Sequence, residues 1–433
     1  MSINRENTSS QTSKLLAYLG ITFTFQFIGF ITTFAYSSYF NRTETFAQSF
    51  LFRSSDSPAA IGLPRPSPFG NHLFGDYLDV YSQIRTTGMG GYFGASQLFL
   101  IIASRVPYYY SLIGMLVTCV VLFFVAARSL LNSSGVPEQL ALLFGGFLFT
   151  QPLLLAIDRG QMHLLMFALL LLGFTLSIKD DCNSTSGAIL MAAAISMKLT
   201  PVFFLLLFVR KKLWRELKVG LVAIIGFMLL PLAYLDSGIG AWKSAFGFIE
   251  SSKENGHFYN STEYFSWTLA YNNSFKLLSY EFSRMDSSLG KVGSFAYEHY
   301  LWFAGFLCLF LGWLIIQKSV TQFESVLLMA IASSLLIPIA GGYTLLVFIL
   351  PIVVVLGDSD FRFGRINIIY CCFIGIILMP KQIAIGFATF QDTSVTLGGI
   401  LNPSLSLIMV LFITCKCLYL RRKQFVESNH QLI

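Results

Sequence analysis

The sequence predicts an all-α, polytopic membrane protein that forms a single integral membrane domain over residues 1–433, and three observations support this fold class. Hydrophobic residues make up 55% of the chain. Charged residues make up only 12%, whereas soluble domains contain roughly 25%. Apolar stretches of the ~20 residues that a transmembrane helix needs recur along the chain, with no soluble domain-sized block between them. Arguments suited to soluble enzymes therefore do not apply.

Ten apolar runs are predicted to cross the membrane, and the first is predicted to be a retained helix. It is long for the apolar region of a signal peptide, and only Arg5 and Lys14 precede it as basic residues; cleavage after "AYSS" (35–38) is the alternative. Two long loops, 40–108 and 237–298, separate parts of this series. The predicted spans lie near 15–36, 109–130, 139–157, 163–178, 216–235, 299–317, 323–340, 343–357, 367–388 and 397–418.

The net charge of +7 is explained better by membrane orientation than by binding to nucleic acid. Basic residues cluster beside apolar spans, as in "VRKKLWRELK" (209–218) and "YLRRKQ" (419–424), and short cationic loops stay on the cytoplasmic side. We therefore expect both termini in the cytoplasm and the loops 40–108 and 237–298 outside. The seven cysteines show neither a disulfide framework nor a zinc-binding spacing, so no metal site is predicted.

The segment 187–209, "GAILMAAAISMKLTPVFFLLLFV", is long enough to cross but is predicted to turn back. A full crossing would carry the cationic loop that starts at Arg210 to the outside, against the positive-inside rule. Two half-helices, 187–197 and 201–209, remove this conflict and place Lys198-Leu199-Thr200-Pro201 at the apex. A half-helix of about 11 residues reaches about 16 Å, roughly half the bilayer. Non-helical backbone at that depth requires surrounding protein or a water-filled cavity, so the apex is predicted to lie under a cavity.

Lys198 is the strongest candidate for a functional residue, because a charge within the bilayer costs from ~3 to more than 10 kcal/mol. Its ammonium is predicted to hold an anionic headgroup such as a phosphate. The structural alternatives are that Lys198 snorkels toward water or pairs with a nearby carboxylate such as Asp158.

"IDRGQMHLLMFALLLLGF" (157–174) places four polar side chains at the outer junction of two predicted spans. Arg159 suits a planar fork onto phosphate or carboxylate. Gln161 and His163 offer hydrogen bonds to sugar hydroxyls or phosphate oxygens. For Asp158 and Arg159 the alternative is an ion pair that caps a tight interhelical turn. Taken together with the buried lysine, these four residues favour the functional interpretation.

Asp76 and Asp79 lie three residues apart in "FGDYLDVYSQIR" (74–85), within the first outer loop. Residues three apart on a short helix share a face, so the two carboxylates are expected to face the same place. One aspartate near a buried cationic pocket is suited to act as a general base. The alternative is a solvated amphipathic turn in which one aspartate is the helix N-cap. The following segment, 93–110, is predicted to lie at the membrane surface.

Several motifs occur in a characteristic order along the middle of the chain. Gly160-Gln161 precedes an apolar helix, and an Ala-rich stretch (192–194), Lys198-Leu199-Thr200-Pro201 and the basic residues 210–212 follow. This order resembles glycosyltransferase family 87, the polyprenol-phosphomannose-dependent mannosyltransferases of the GT-C superfamily. "NNSF" (272–275) resembles the Asn-x-Ser element of that family, which adds Asn273 to the candidate substrate-binding residues. The resemblance covers about 70 to 235 and extends more faintly to about 350.

The resemblance implies a GT-C fold and an inverting glycosyltransferase of the cell envelope. Such an enzyme would move mannose, or a related hexose or pentose, from a polyprenyl-phosphate donor to a lipid-linked or polysaccharide acceptor on the outer face of the plasma membrane. Asp76, or Asp79 as its close competitor, would remove the proton of the acceptor hydroxyl. Lys198 and Arg159 would stabilise the charge that develops on the departing phosphate, and residues 158–163 would form the rim of the phosphosugar pocket. This scheme needs no nucleotide, metal or other cofactor.

Two other functions fit part of the pattern. A secondary transporter also binds anions at broken helices within the membrane, but the other half of the sequence shows no second Lys-x-x-Pro break. A polysaccharide polymerase or ligase shares the many spans and the large outer loop, and differs mainly in using a diphosphate-linked donor. In every case membrane lipids are expected partners and nucleic acid is not.

Overall fold

The computed structural model is predominantly helical, as the sequence predicts. It describes residues 2–39, 75–87, 94–131, 135–148, 150–158, 160–179, 183–234, 299–335, 342–358, 361–381, 384–390 and 393–430, together with 288, 290–292 and 295. The helices are α1 (Ser2–Tyr39), α2 (Gly75–Thr87), α3 (Gly94–Ala103), α4 (Tyr108–Leu130), α5 (Val136–Ala141), α6 (Gln151–Asp158), α7 (His163–Lys179), α8 (Ser184–Met197), α9 (Leu206–Arg210), α10 (Trp214–Leu229), α11 (Tyr300–Ile315), α12 (Gln322–Leu335), α13 (Pro351–Gly357), α14 (Arg365–Leu378) and α15 (Leu397–His430). A π-helical segment (Leu142–Leu148) continues α5, and 3-10 segments cover Thr200–Leu205, Leu230–Tyr234 and Gly342–Ile349.

Four of the described helical stretches are long and apolar enough to cross a membrane as single helices. They are Gln11–Ala35, Tyr108–Leu130, Trp214–Ala233 and Leu401–Lys423. The other apolar helices have 10–17 residues, which is short for the ~20 residues of a full span. The predicted helical membrane protein is therefore confirmed, whereas the count of ten crossings stays a prediction.

Two predicted spans are continuous runs in the sequence but interrupted helices in the structure. The run 139–157 consists of α5 with its π-helical continuation, followed by α6 with Pro152 in its first turn. The run 343–357 consists of a 3-10 segment followed by α13, which begins at Pro351. Proline lacks the N–H that an interior helical position donates, but it is tolerated in the first turn of a helix. Each of these prolines therefore lies in the first turn of a new helix.

The predicted span 367–388 is wrong in its second half. α14 ends at Leu378, and the chain then forms an antiparallel hairpin of β1 (Ala384–Phe390) and β2 (Thr393–Thr396) before α15. Met379 is already extended, with φ −73° and ψ 153°, because the ring of Pro380 disfavours a helical conformation at the preceding residue.

The core of the fold is α7, whose side chains are nearly all buried and which packs against α4, α8 and α13. Glycines allow α7 and α8 to lie in close contact. A Cβ atom on Gly173 would lie 2.8 Å from the carbonyl oxygen of Gly187, and one on Gly187 would lie 2.3 Å from Oγ of Ser177. Both separations are too short for a real side chain, so this close pair of helices requires the two glycines.

Cations cap the C-terminal carbonyls of several helices at one end of the molecule. Nζ of Lys211 donates to the last turn of α7 at 2.9 and 3.0 Å, and Lys179 donates to the last turn of α4. Arg210 donates to three carbonyls at and just beyond the end of α11, and Lys14 donates to Asp358 O after α13 at 2.8 Å. Helix C-termini carry unpaired carbonyls and partial negative charge. The basic residues that suggest a cytoplasmic side in the sequence therefore also stabilise helix ends.

Candidate active site

The chain breaks between α8 and the following 3-10 segment, and Lys198 stands at this break, which we call the Lys198 break (Lys198–Pro201). Lys198 is extended, with φ −155° and ψ 120°. The 3-10 segment begins at Thr200 and has Pro201 in its first turn. Pro201 has no N–H for the carbonyl of Met197, so the α-helical hydrogen bonding of α8 cannot continue through this position. The sequence therefore ends the helix at the predicted place.

The chain reverses its direction at the Lys198 break. α8 begins at Ser184, close to the end of α7, and after the break Lys211 returns to the carbonyls of Ser177 and Ile178 at that same end of α7. α10 starts there as well, because Oγ of Ser184 donates to the carboxylate of Glu216 at 3.3 Å. With 14 residues, α8 is about 21 Å long, which is longer than the predicted half-helix. The depth of this pair in the bilayer stays a prediction.

Lys198 lies against the imidazole of His163, the first residue of α7. Nζ of Lys198 is 2.6 Å from Nε2 of His163. An ammonium has only donors, so Nε2 accepts this hydrogen bond when Lys198 is charged, and the imidazole is then neutral with its proton on Nδ1. His163 is buried, whereas Lys198 keeps partial exposure. The structure thus brings together two residues that the sequence singles out 35 positions apart.

The turn before His163, which we call the polar turn (158–163), is closed by backbone hydrogen bonds. Gly160 has φ +62°. Its N–H donates to Ile157 O at 3.0 Å, and the N–H of Gln161 donates to Ala156 O at 2.9 Å. These two bonds with a left-handed glycine form a Schellman motif, a common helix C-cap. Backbone hydrogen bonds therefore close the turn, and the ion pair between Asp158 and Arg159 that the sequence suggests is not needed for this.

The other predicted residues of the polar turn are described to different extents. Gln161 is buried, with 6% of its surface exposed, and lies two residues before His163. For Asp158 the structure describes the backbone as the end of α6 and not the side chain. Arg159 and Asn273 lie outside the described residues. Their predicted roles at the donor phosphate and sugar stay predictions.

The two candidate aspartates, Asp76 and Asp79, lie on α2, which is helical as predicted. α2 starts at Gly75, so position 76 belongs to its first turn; the structure describes the backbone of Asp76 and Asp79 and not their side chains. One stripe of α2 is buried through Tyr77 and Tyr81. α2 is therefore an amphipathic helix with one face fixed in the protein.

Hydrogen bonds attach α2 to the start of α4. The hydroxyl groups of Tyr77 and Ser111 form a hydrogen bond, and the hydroxyl of Tyr81 donates to Val106 O at 2.6 Å. Both rings pack against Tyr108. Burial raises the pKa of the Tyr77 phenol, and the hydrogen bond to Ser111 opposes this effect more weakly, so Tyr77 stays a neutral partner. The helix that carries the candidate base is thus rigidly placed.

The segment 93–110 includes α3, which packs between α2, α8 and α10 and has five of its ten residues buried. At the end of the segment Tyr109 and Tyr110 are 49% and 69% exposed. Its position at the membrane surface stays a prediction. Among the described residues no three His, Cys, Asp or Glu side chains come together as a metal site.

A model of glycosyltransferase family 87 matches residues 94–338, which is more than half of the chain. The chain belongs to this family. The match includes the polar turn, the Lys198 break and Asn273, and it begins after α2, so Asp76 and Asp79 precede it. No curated protein and no solved structure matches the chain significantly. Family membership identifies the protein as a membrane glycosyltransferase, which acts on a sugar donor and an acceptor.

Lys381 is a buried lysine for which the sequence predicts no role. It is 1% exposed, and its Nζ donates to the carbonyls of Ile376, Ile377 and Met379 at 2.6, 2.7 and 3.2 Å. Lys381 therefore caps the end of α14 with all three of its ammonium protons. In the sequence, the signal for this cap is a lysine that directly follows a proline within a predicted span.

Proposed function

We propose that the protein is an inverting glycosyltransferase of the outer membrane face that uses a polyprenyl-phosphate sugar as donor. The observation that carries the proposal is the Lys198–His163 contact of 2.6 Å at a helix break in a chain of family 87. A partly exposed ammonium in an otherwise apolar part of the protein is suited to an anionic ligand. A lipid phosphate is an anion that reaches such a site from within the bilayer.

Lys198 stabilises the leaving group in the proposed reaction. The bond between the anomeric carbon and the phosphate oxygen breaks, and its electron pair stays on the polyprenyl phosphate. A fixed ammonium near that oxygen favours the charge that develops there, because a preorganised donor requires no reorganisation during the reaction. His163 supports this role by accepting one proton of the ammonium, which helps to fix the direction of the Lys198 side chain.

One aspartate of α2 is the proposed general base. It removes the proton from the acceptor hydroxyl as that oxygen bonds to the anomeric carbon from the side opposite the phosphate, which inverts the configuration. At 3.6 residues per turn, position 76 borders the buried stripe of α2, whereas position 79 lies farther round toward the opposite side. Asp76 is therefore the preferred base, and Asp79 remains the competitor.

The reversal of the chain at the Lys198 break supports an outer-face site. Lys211 and the end of α7 lie at the end of the molecule where cations cap helix C-termini, and the positive-inside rule assigns such cations to the cytoplasm. Lys198 lies at the other end of α7. With this orientation the lipid tail of the donor stays in the bilayer while its phosphate reaches the ammonium.

Sugar transfer in proteoliposomes tests the proposal. Purified full-length protein is supplied with a short-chain polyprenyl-phosphate mannose and a lipid-linked glycan acceptor, and the product is analysed for its anomeric configuration. We expect transfer with inversion, and a loss of at least ~10²-fold for Asp76→Asn, because general base catalysis contributes about 10²–10⁴-fold. Asp79→Asn serves as the matched variant one turn away and should retain most of the activity.

Each other outcome has a defined meaning. Full turnover in both Asp76→Asn and Asp79→Asn would refute the base on α2. A loss confined to Asp79→Asn would exchange the two roles. Transfer only from a diphosphate-linked donor would indicate the polymerase or ligase function, and uptake of a free sugar without a covalent product would indicate a transporter.

A further inference from the structure

The first turn of α3 (Gly94–Gln97) contacts the two residues that immediately precede the Lys198 break. The N–H of Ala95 donates to Oγ of Ser196 at 3.3 Å. The hydroxyl of Ser96 donates to the carbonyl of Met197 at 3.4 Å. α3 therefore begins directly beside the lysine that we propose as the phosphate ligand.

Gly94 makes this contact possible. It has φ +55°, and a Cβ atom at this position would lie 2.3 Å from the carbonyl oxygen of Ser196 and 2.9 Å from its Cβ. Other residues disfavour this backbone conformation, and any side chain would collide with α8. The approach of α3 to the break is thus a specific feature of the sequence.

Gln97 shares a helical face with Gly94, because residues three apart are neighbours on a helix. Its side chain is buried, with 6% of its surface exposed, and it forms no hydrogen bond with any residue that the structure describes. Its amide nitrogen and oxygen do not belong to the fully enclosed unpaired polar atoms of the described residues, so both keep some accessible surface. Buried side-chain amides in folded proteins nearly always have a hydrogen-bond partner. A ligand at the break would supply the missing partner.

We infer that Gln97 is a donor-binding residue, whose amide group hydrogen-bonds a phosphate oxygen of the polyprenyl-phosphate sugar opposite Lys198. This inference rests on the proposed function and extends it to a second wall of the pocket. The N-terminus of α3 adds favourable electrostatics for an anion. Lys198 and Gln97 together hold the phosphate between a charged and a neutral donor.

Steady-state kinetics with the full-length protein in proteoliposomes test this role. We expect Gln97→Leu to raise the KM for a short-chain polyprenyl-phosphate mannose about 10-fold or more, since a hydrogen bond to a charged group is lost, with kcat and the acceptor KM little changed. Gln97→Glu should raise the donor KM further, because it places a negative charge beside the phosphate. The inhibition constant of polyprenyl phosphate without a sugar should rise by the same factor as the donor KM.

Gln139→Leu is the matched control. Gln139 is also a buried glutamine, with 8% exposure, but its amide donates to Leu131 O at 3.4 Å beyond the end of α4. The control should leave the donor KM unchanged. Gln97→Met, which preserves the length of the side chain, keeps the test valid if the leucine variant does not fold.

The outcomes separate this inference from the proposed function. If the wild type transfers the sugar and Gln97→Leu and Gln97→Met have the wild-type donor KM, the inference is wrong and the proposed function stands. An unchanged inhibition constant for polyprenyl phosphate would also refute the contact with the phosphate. If the wild type transfers no sugar, native mass spectrometry with polyprenyl phosphate decides: weaker retention by Gln97→Leu than by Gln139→Leu supports the contact, and equal retention refutes it.

Discussion

Lys198 and Lys381 both lie at the C-terminal end of a helix and near a proline, but their surroundings differ. Lys381 donates all three ammonium protons to carbonyls at the end of α14. Lys198 is extended after α8 and lies against the ring of His163. One lysine is fully used as a helix cap. The other keeps partial exposure beside a neutral imidazole.

The difference shows that the role of a lysine within a membrane protein can be inferred only when its hydrogen-bond acceptors are known. Carbonyls at a helix C-terminus satisfy both the protons and the charge of an ammonium. A neutral imidazole accepts one proton but carries no charge that balances the ammonium. The two lysines should therefore respond in opposite ways when they are removed, one through catalysis and the other through stability.

The largest expected effect is the loss of sugar transfer in Lys198→Ala. Removal of one preorganised donor at a developing oxyanion lowers kcat by about 10²–10³-fold. The thermal unfolding midpoint of the protein in detergent should stay the same or rise, because a charge is removed from an apolar environment. Transfer from the polyprenyl-phosphate donor and the unfolding midpoint are measured on the same preparation.

Lys218→Ala is the control for the loss of a positive charge, since Lys218 lies on α10 and is exposed. It should leave both transfer and the midpoint unchanged. If Lys198→Ala retained wild-type transfer and lowered the midpoint as strongly as removal of Lys381, then Lys198 would also be a structural cap and the comparison would fail.

Lys381→Met should have the next largest effect, on stability. Methionine keeps an unbranched apolar chain but leaves the carbonyls of Ile376, Ile377 and Met379 without these hydrogen bonds. We expect a loss of about 3 kcal/mol, the low end of the sum for three carbonyls, because each buried group left unsatisfied costs ~1–3 kcal/mol. Thermal unfolding measures the loss. A wild-type midpoint together with reduced donor affinity would make Lys381 a ligand-binding residue instead.

A third cation, Lys416, tests whether a carboxylate partner gives an intermediate result. Its Nζ is 2.8 Å from Oε2 of Glu324, which is 1% exposed and also accepts hydrogen bonds from Thr321 and Tyr370. Removal of one partner of a fully buried ion pair costs about 3–5 kcal/mol. Lys416→Met should cost less, about 2 kcal/mol, because Lys416 is 29% exposed. The double variant Lys416→Met with Glu324→Gln should recover most of the loss; no recovery would show that the charge of Glu324 is not the cause.

Much of the helical fold is predictable because apolar length and prolines are local signals. The break at Pro201 and the helix over 75–87 follow from residues within one or two turns. The hairpin of β1 and β2 does not, because residues 384–388 are apolar and continue the span predicted there. Only the interruption at Pro380 and the cap by Lys381 show that the chain has left the helix.

The candidate site is predictable as a set of residues and not as an arrangement. The sequence identifies His163 and Lys198 from their polarity within apolar runs, but their contact depends on the reversal of the chain and on the close packing of α7 and α8. The contact between Gly94 and Ser196 depends on the position of α3 between α8 and α10. No local pattern carries that information, because the two segments are 101 residues or more apart.

Gly160→Ala should give the smallest effect and tests the turn that holds His163 against Lys198. A non-glycine residue at φ +62° costs roughly 1–2 kcal/mol, so we expect a destabilisation of about 1 kcal/mol and a reduction of transfer by a few fold as the imidazole shifts. Gly114→Ala is the control, because a Cβ atom there meets nothing within 4 Å and alanine favours the helix. The hydrogen bonds by which Lys381 caps α14 do not depend on this turn, so they should be unaffected in both variants. If Gly160→Ala kept full transfer but lost stability, the polar turn would close α6 without positioning the pair, and His163 would owe its place to the packing of α7 alone.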